Sequence, residues 1–362
     1  VFGNNAIVYS FTNGVKHMKI YSIAAEKFML FDKINIDFSS GINVIFGENS
    51  TGKTALIKVL YSSSKLIADD HANKEELEKI LLEKMVGVFR PDKSSIGRLA
   101  YRHQGVGAAN VGIKFDKGNY LNFSFTSRQS NHLDIDVSKG KNNFTPIFIP
   151  PKEIISSTGV FPSLYERYHI DFEETYYDLC KLLLLPLKKG KNTDEQNTIL
   201  SNVSEIVNGN VVQRDNHFFL KVRGQGEFEM GLVSEGYRKL STLTYLILSG
   251  SLNKNSILFW DEPETNMNPK MIYHIANTLV ELAKMGVQVF ITTHSYFVQQ
   301  AFNLISSYSN DNKKAKIKFI SLYRNDEGNV RYESGNTLDD IEHNAIMDEF
   351  DCLYDREQDM MG

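Results

Sequence analysis

The first part of the chain alternates between strand-like and helix-like hydrophobic patterns. Within residues 18–46, the segments KIYSIAAEKF, KINIDF and INVIF are apolar or alternating and are separated by turn residues, which predicts three strands. Apolar residues then recur with helical spacing over residues 53–68 and, on a more charged helix, over residues 74–88. Strands followed by helices are therefore expected from the start of the organised pattern.

The middle of the chain predicts a separate antiparallel arm. Within residues 110–150 four segments recur, NVGIKF, NYLNFSF, HLDIDV and TPIFIP, and residues 116–119 are typical of a hairpin turn. Residues 161–206 have helical spacing, and the strand-like segments HFFLKV and EFEMGLV follow. Helical and strand segments then alternate to residue 324, so the expected fold class is α/β.

Composition narrows the class of protein. The 362 residues are 42% hydrophobic and 23% charged, with a formal charge of −4, which is ordinary for a globular protein and gives no general attraction to nucleic acid or anionic membranes. Cys180 and Cys352 lack metal-ligand spacing and are expected to be reduced in a cytoplasmic protein. No apolar run reaches the roughly 18 residues of a membrane span, and residues 1–17 show neither a signal-peptide pattern nor much periodicity. We expect residues 1–17 to be a peripheral extension and expect no membrane contact.

A phosphate-binding loop follows the third predicted strand. The stretch GENSTGKT has the GxxxxGK[ST] pattern, in which glycines let backbone N–H groups surround a phosphate, the lysine adds a cation and the hydroxyl a Mg²⁺ ligand. Lys53 is expected to reach the β- and γ-phosphates, and Thr54 to hold Mg²⁺. The residues expected to contact ATP are Gly47, Glu48, Asn49, Ser50, Thr51, Gly52, Lys53, Thr54 and Ala55.

Two acids end a later apolar strand, SILFWDEPE. Asp261 is placed to coordinate Mg²⁺, and Glu262 to orient and deprotonate the attacking water. Such a pair favours hydrolysis over phosphate transfer to a bound substrate. A well-marked helix follows, with Asn268 as its N-cap and Gly286 at its end.

His294 follows the next strand, VQVFITTH. Ligands bind at the carboxyl ends of the strands in open α/β sheets, so His294 is expected to sense the γ-phosphate.

The order of these motifs resembles an ABC-type ATPase head of the SMC/RecF/OLD branch. The resemblance is carried by EKFMLFDKINIDFSSGINVIFGENSTGKT, by a distant Ser-Glu-Gly, and by LFWDEPETNMNPKMIYHIANTL followed by GVQVFITTHSYFV. The last two segments are also similar to small stand-alone bacterial AAA-family ATPases of phage-defence operons. The resemblance implies a P-loop fold of the ABC-ATPase head type, with an antiparallel β arm and a helical insertion.

The resemblance also implies an ATP-dependent homodimer. In this arrangement ATP on the phosphate loop of one copy meets a signature loop of the other, here Ser234, Glu235 and Gly236, with Ser234 capping helix 236–249. Asn268 falls in the D-loop, which in this family lies between the two copies, and ATP with Mg²⁺ is the expected ligand pair. The chain departs from the family at three places: LSGGQ is absent, Met29 stands where an arginine is frequent, and IFIPPKEI lacks the expected glutamine.

These motifs divide the chain into five predicted parts. Residues 1–17 form the extension, 18–155 a nucleotide-binding lobe with the β arm, and 156–210 a helical insertion. Residues 211–310 form the lobe with the signature, acid pair and switch histidine, and 311–362 a C-terminal strand pair and acidic helix. In that helix, residues 338–354 carry two apolar stripes, which favours packing on the head and leaves docking to a partner as the alternative.

Three functions are compatible with these motifs. The favoured one is a switch that dimerises on ATP and controls a separately encoded effector, a nuclease or toxin, in anti-phage defence. The 68 residues after His294 are expected to be too few for an OLD-type nuclease, which favours an effector on another chain. The alternative is a DNA-repair ATPase that clamps DNA directly, which would need a basic groove or long coiled coil. A transporter engine is disfavoured by the missing LSGGQ.

Overall fold

The computed structural model describes residues 17–69, 73–102, 107–140, 142–168, 170–308 and 315–361. The predicted extension lies outside these residues except for His17, whose Nδ1 is 2.6 Å from Asn255 Oδ1. The strands are β1 (Ile20–Phe28), β2 (Phe31–Asp37), β3 (Ile42–Gly47), β4 (Ala108–Phe115), β5 (Tyr120–Thr126), β6 (Asp134–Ser138), β7 (Thr145–Ile149), β8 (Gly209–Arg214), β9 (His217–Val222), β10 (Gly226–Glu229), β11 (Ser256–Asp261), β12 (Gln288–Thr293), β13 (Ile317–Arg324) and β14 (Val330–Gly335). The helices are α1 (Lys53–Ala68), α2 (Lys74–Phe89), α3 (Phe161–Tyr168), α4 (Glu174–Leu183), α5 (Asp194–Ile206), α6 (Glu235–Leu248), α7 (Pro269–Met285), α8 (Tyr296–Tyr308) and α9 (Ala345–Met361).

A largely parallel sheet, in the order β14-β13-β3-β12-β11-β7, forms the centre of the fold. Strands β11 and β12 are buried along their whole length, as expected for parallel strands covered on both faces. The carboxyl ends of β3, β11 and β12 meet at one edge, where Asp261 pairs with Thr292 and Thr293 pairs with Phe46. This edge carries the candidate site.

The predicted antiparallel arm exists, with one correction. Its sheet has the order β2-β1-β4-β5-β6, and a turn at Asp116–Gly118 joins β4 to β5. Strand β7 was predicted to be part of the arm, which is wrong, because it pairs in parallel with β11. The apolar run of Ile147, Phe148 and Ile149 is buried, which suits a strand covered on both faces better than the edge of an arm.

The insertion is helical as predicted, over α3, α4 and α5, but its neighbouring sheet differs from the expectation. Strand β8 was not predicted and forms a three-stranded sheet with β9 and β10. The segment EFEMGLV was predicted to be one strand, but β10 stops at Glu229 and a 3-10 turn occupies Met230–Leu232.

The C-terminal tail was predicted to be one helix from Leu338, which is wrong. Leu338–Asp340 form a single 3-10 turn, and α9 starts only at Ala345. Asn344 explains the later start, since its Oδ1 accepts the N–H of Met347 at 3.4 Å and so caps a new helix.

Two hydrophobic cores cover the two faces of the parallel sheet. Val44 and Trp260 face one core, and their neighbours Ile45 and Phe259 face the other, all completely buried. Alternation along the strands therefore places helices on both sides and leaves the carboxyl edge open. Of the helices in the described ranges, none has the length and apolar character that a membrane span requires.

Candidate nucleotide-binding and hydrolysis site

The phosphate loop joins the end of β3 to the start of α1 through three residues with left-handed backbone. Gly47, Ser50 and Gly52 have φ values of 142°, 61° and 96°. A Cβ on Gly47 would lie 2.0 Å from the carbonyl oxygen of Leu322, and one on Gly52 would lie 2.6 Å from the ring of Phe31. Only glycine fits these two positions. The packing of the loop therefore requires glycine there, in addition to the requirement set by phosphate binding.

Lys53 is folded back over the loop. Its Nζ donates to the carbonyl oxygens of Gly47 at 2.8 Å and Glu48 at 2.7 Å. Burial lowers the pKa of Lys53, although the charges of Glu262 and Asp261 partly oppose this. The cation therefore lies within the loop and next to the acid pair, where a phosphate would meet both.

Asp261 lies between two threonines. Its Oδ1 accepts a hydrogen bond from Thr54 Oγ1 at 3.0 Å and another from Thr292 Oγ1. Burial raises the pKa of this carboxyl to about 6, even though both hydroxyl bonds lower it. A buried carboxylate beside a hydroxyl is a pair of hard oxygen ligands of the kind that Mg²⁺ prefers, so the two predicted metal ligands fit the ion.

Glu262 and His294 lie next to each other at the same edge. Glu262 has a left-handed backbone with φ of 44°, a strained conformation that is frequent at functional sites. Its backbone N–H donates to both oxygens of Thr292 at 3.2 Å, and its Oε1 is 3.3 Å from His294 Nδ1. The predicted base and the predicted phosphate sensor are thus in contact, with both side chains partly exposed.

Glu264 was not predicted to be part of the site, although it belongs to the same run of acids. Its Oε1 accepts from Thr293 Oγ1 at 2.6 Å and from the backbone N–H of His294 at 3.2 Å. Burial raises its pKa. Glu264 therefore fixes the loop that carries His294. Its position two residues after Glu262, in the same acidic run, was the available signal.

The Ser-Glu-Gly stretch adjoins the loop after β11 in the same chain. Glu235 Oε2 accepts from Asn266 Nδ2 at 3.0 Å, and a Cβ on Gly236 would lie 3.4 Å from Met267. Ser234 occupies the N-cap position of α6, but among the described residues its hydroxyl makes no capping hydrogen bond, so the predicted side-chain cap is wrong. The Ser234 side chain is exposed at the tip of the helix.

Two cations on α6 tie this helix to neighbouring loops, and sequence reasoning missed both. Lys239 is 1% exposed, and its Nζ donates to the carbonyl oxygens of Pro263 at 3.2 Å and Thr265 at 2.7 Å. Arg238 forms an ion pair with Glu153, in the loop where the family's glutamine was expected. Helical periodicity gives no signal for such contacts, since it cannot show which groups the charged end of a buried lysine or arginine contacts.

Asn268 caps α7, because its Oδ1 accepts the N–H of Lys270 at 3.0 Å. Pro269 follows at the first helical position and Gly286 ends the helix with φ of 114°, so this helix matches its prediction. A role of Asn268 in a D-loop remains a prediction. Arg324, at the end of β13, was not predicted and donates to the carbonyl oxygen of Ser50 at 2.8 Å.

Comparison with known proteins identifies the class. The profile described as "AAA domain, putative AbiEii toxin, Type IV TA system" matches residues 115–298, and an AAA-domain profile matches residues 22–62. The chain belongs to this AAA-domain family and is an ABC-type ATPase of the SMC/RecF branch. ATP binding is expected of the family.

Curated relatives and solved structures agree with this class. The DNA replication and repair protein RecF of Staphylococcus haemolyticus is 24% identical over 274 residues, which cover 69% of this chain and 67% of RecF. RecF of Staphylococcus epidermidis (strain ATCC 12228) is 29% identical over 87 residues, 24% of this chain and 21% of that protein. This second match thus spans only about a fifth of the Staphylococcus epidermidis protein.

Two solved structures share the fold. An SMC head bound to the C-terminal winged-helix domain of ScpA has a TM-score of 0.53 at 13% identity, covering 87% of this chain and 97% of that one. The Pyrococcus furiosus Smc head with an extended coiled coil, bound to the C-terminal domain of ScpA, has a TM-score of 0.51 at 14% identity, covering 89% and 97%. The fold is that of a P-loop ABC-ATPase head.

Proposed function

We propose that this chain binds and hydrolyses ATP between two copies of itself and acts as a switch. The proposal is supported by the contact of Thr54 with Asp261 and of Glu262 with His294 at one sheet edge beside Lys53. Thr54 and Asp261 would hold Mg²⁺, which would neutralise charge on the β- and γ-phosphates. Glu262 would accept the proton of the attacking water, and His294 would orient that carboxylate and contact the γ-phosphate.

In this proposal the second copy completes the site. The exposed tip at Ser234, at the positive end of α6, would contact the γ-phosphate held by the other copy. The loop at Asn268 would line the same interface. Hydrolysis would remove the group that both copies contact, so the dimer would reopen.

The output of the switch is proposed to be a separately encoded effector, a nuclease or toxin, in anti-phage defence. The family description names a putative toxin of a type IV toxin–antitoxin system, which supports a role in a system of this kind; the separate effector is part of the proposal. Direct clamping of DNA is not favoured, because the described insertion forms helices of 8, 10 and 13 residues rather than a coiled coil.

Glu262→Gln tests the proposed cycle. This variant should bind ATP but not hydrolyse it, and should therefore accumulate as a dimer whose mass is measured by light scattering. A monomer at saturating ATP would contradict the proposal. Purification with the products of neighbouring genes, with and without ATP, tests for the effector.

A further inference from the structure

The chain after β14 runs antiparallel along α8 and leaves the head at the start of that helix. Successive contacts join Asn336 to Ser306, Leu338 to Asn303, Asn344 to Gln299, Met347 to Gln300 and Phe350 to Tyr296. The rings of the last pair are stacked, with centroids 4.3 Å apart. The path of the tail is therefore defined as far as Phe350.

Helix α9 continues beyond that point over residues 351–361, here called its free half, none of which is buried among the described residues. Eleven residues follow Phe350 before the helix ends at Met361, a length of about 16 Å at 1.5 Å per residue. Since Phe350 stacks on Tyr296 at the start of α8, two residues after His294, a straight continuation of α9 takes its free half past the nucleotide-facing edge of the sheet.

The free half exposes apolar residues on the side of α9 that packs on the head in its first turns. At 100° per residue, that side carries Ile346, Met347, Phe350, Leu353, Tyr354, Met360 and Met361, with the acid Glu357 among them. Ile346 and Met347 pack against the core, whereas Leu353 is 53% exposed and Tyr354 is 58% exposed. Among the described residues of α9, none is buried. An apolar stripe of this kind on a projecting helix marks an interaction surface.

The opposite side of α9 limits which class of molecule can bind this helix. It carries the acids Asp348, Asp351, Asp355 and Asp359. These acids repel nucleic acid and anionic lipid.

We propose that the apolar stripe of α9 docks on a second copy of this chain when the ATP-bound dimer closes. The inference rests on the proposed function, because that closure brings a second copy against the edge past which α9 projects. Closure also brings the Ser234 tip of the second copy towards His294. Leu232 of the second copy lies two residues before that tip and is 75% exposed. It would therefore offer an apolar contact next to the start of α8 of the first copy. In the closed dimer each α9 crosses the interface and holds the other copy.

The test measures dimer dissociation constants at saturating ATP by sedimentation, in the full chain carrying Glu262→Gln. Leu353→Glu is expected to weaken the dimer at least tenfold and to leave ATP binding by the monomer and the melting temperature unchanged, since Leu353 is exposed. Leu304→Glu is the matched control: Leu304 is also an exposed leucine, at 49%, but lies about two turns along α8 from Tyr296, away from the proposed interface. It should leave the dimer unchanged.

Leu232→Glu should weaken the dimer as well, and combining it with Leu353→Glu should cost less than the two separate effects added, because the residues contact each other. Equal dimer affinity in parent, Leu353→Glu and Leu304→Glu would overturn the inference while leaving the proposed dimer intact. Loss of a co-purifying effector from Leu353→Glu with unchanged dimerisation would also overturn it, in favour of an effector partner. If the Glu262→Gln parent stays monomeric with ATP, the proposed function itself fails.

Discussion

Asp261→Asn tests the electrostatics of the site through protein stability. Asp261 is 2% exposed, and burial raises the pKa of its carboxyl from 3.8 to about 6. A carboxyl whose folded pKa lies above its unfolded value stabilises the fold fully below the unfolded value, and this contribution is lost as pH rises through the folded value. The step from 3.8 to about 6 corresponds to about 3 kcal/mol of stability lost at neutral pH and above.

Without nucleotide or metal, Asp261→Asn should therefore raise the free energy of unfolding by about 3 kcal/mol at about pH 8. The difference in unfolding free energy between variant and parent should shrink as pH falls through about 6 and vanish near about pH 4. Asparagine keeps Oδ1, the atom that both threonine hydroxyls reach, so the packing is preserved. Urea unfolding at a series of pH values measures the difference. A variant less stable than the parent at about pH 8 would refute the reasoning, since it would mean that the hydrogen bonds outweigh the cost of burial.

Asp178→Asn is a control of opposite sign. Burial raises the pKa of Asp178, but the charges of Lys65 and Lys84 and hydrogen bonds from Tyr61 and Lys84 outweigh it, and the pKa falls from 3.8 to about 2. Its carboxylate stabilises the fold above pH 3.8, and this is lost as pH falls through about 2. The asparagine variant should be about 2 kcal/mol less stable than the parent at about pH 8.

Three further predictions concern the loop and α6. Lys53→Ala should abolish ATP binding in calorimetry, because it removes the cation inside the loop; retained affinity would contradict that role. Gly47→Ala should lower the free energy of unfolding by about 1–3 kcal/mol, because of its positive φ and the contact with Leu322, whereas Gly231→Ala, with open space at its Cβ, should stay within about 0.5 kcal/mol of the parent. Lys239→Met should lower kcat at least tenfold at unchanged KM by loosening the loop after Glu262, and unchanged turnover would remove Lys239 from that role.

Local signals were sufficient for much of the fold. Strand β11 ends at Asp261 and α1 begins at Lys53, as the patterns predicted, because a buried parallel strand and a glycine loop are encoded by neighbouring residues. The ends of α7 at Asn268 and Gly286 followed from capping chemistry, which is also local.

Contacts between distant segments could not be predicted from the sequence patterns. Lys239 meets the carbonyl oxygen of Thr265, and Glu264 meets Thr293, through folded geometry that no spacing rule encodes. The prediction of a single helix in the tail failed for a related reason. The apolar spacing continues across Asn344, but the Asn344 side chain donates to Gln299 and accepts the N–H of Met347, which starts a new helix. Tertiary contacts decided these cases against the local pattern.

Mixing two inactive variants tests most directly whether one copy completes the ATP site of the other. Lys53→Ala should lose its own nucleotide but keep an intact tip at Ser234, and Ser234→Arg should bind ATP but present a blocked tip. Each alone should lack ATPase activity. In a mixed dimer the phosphate loop of the Ser234→Arg copy meets the tip of the Lys53→Ala copy, so phosphate release should reappear on mixing. Full activity of Ser234→Arg alone, or a mixture as inactive as its components, would contradict the account.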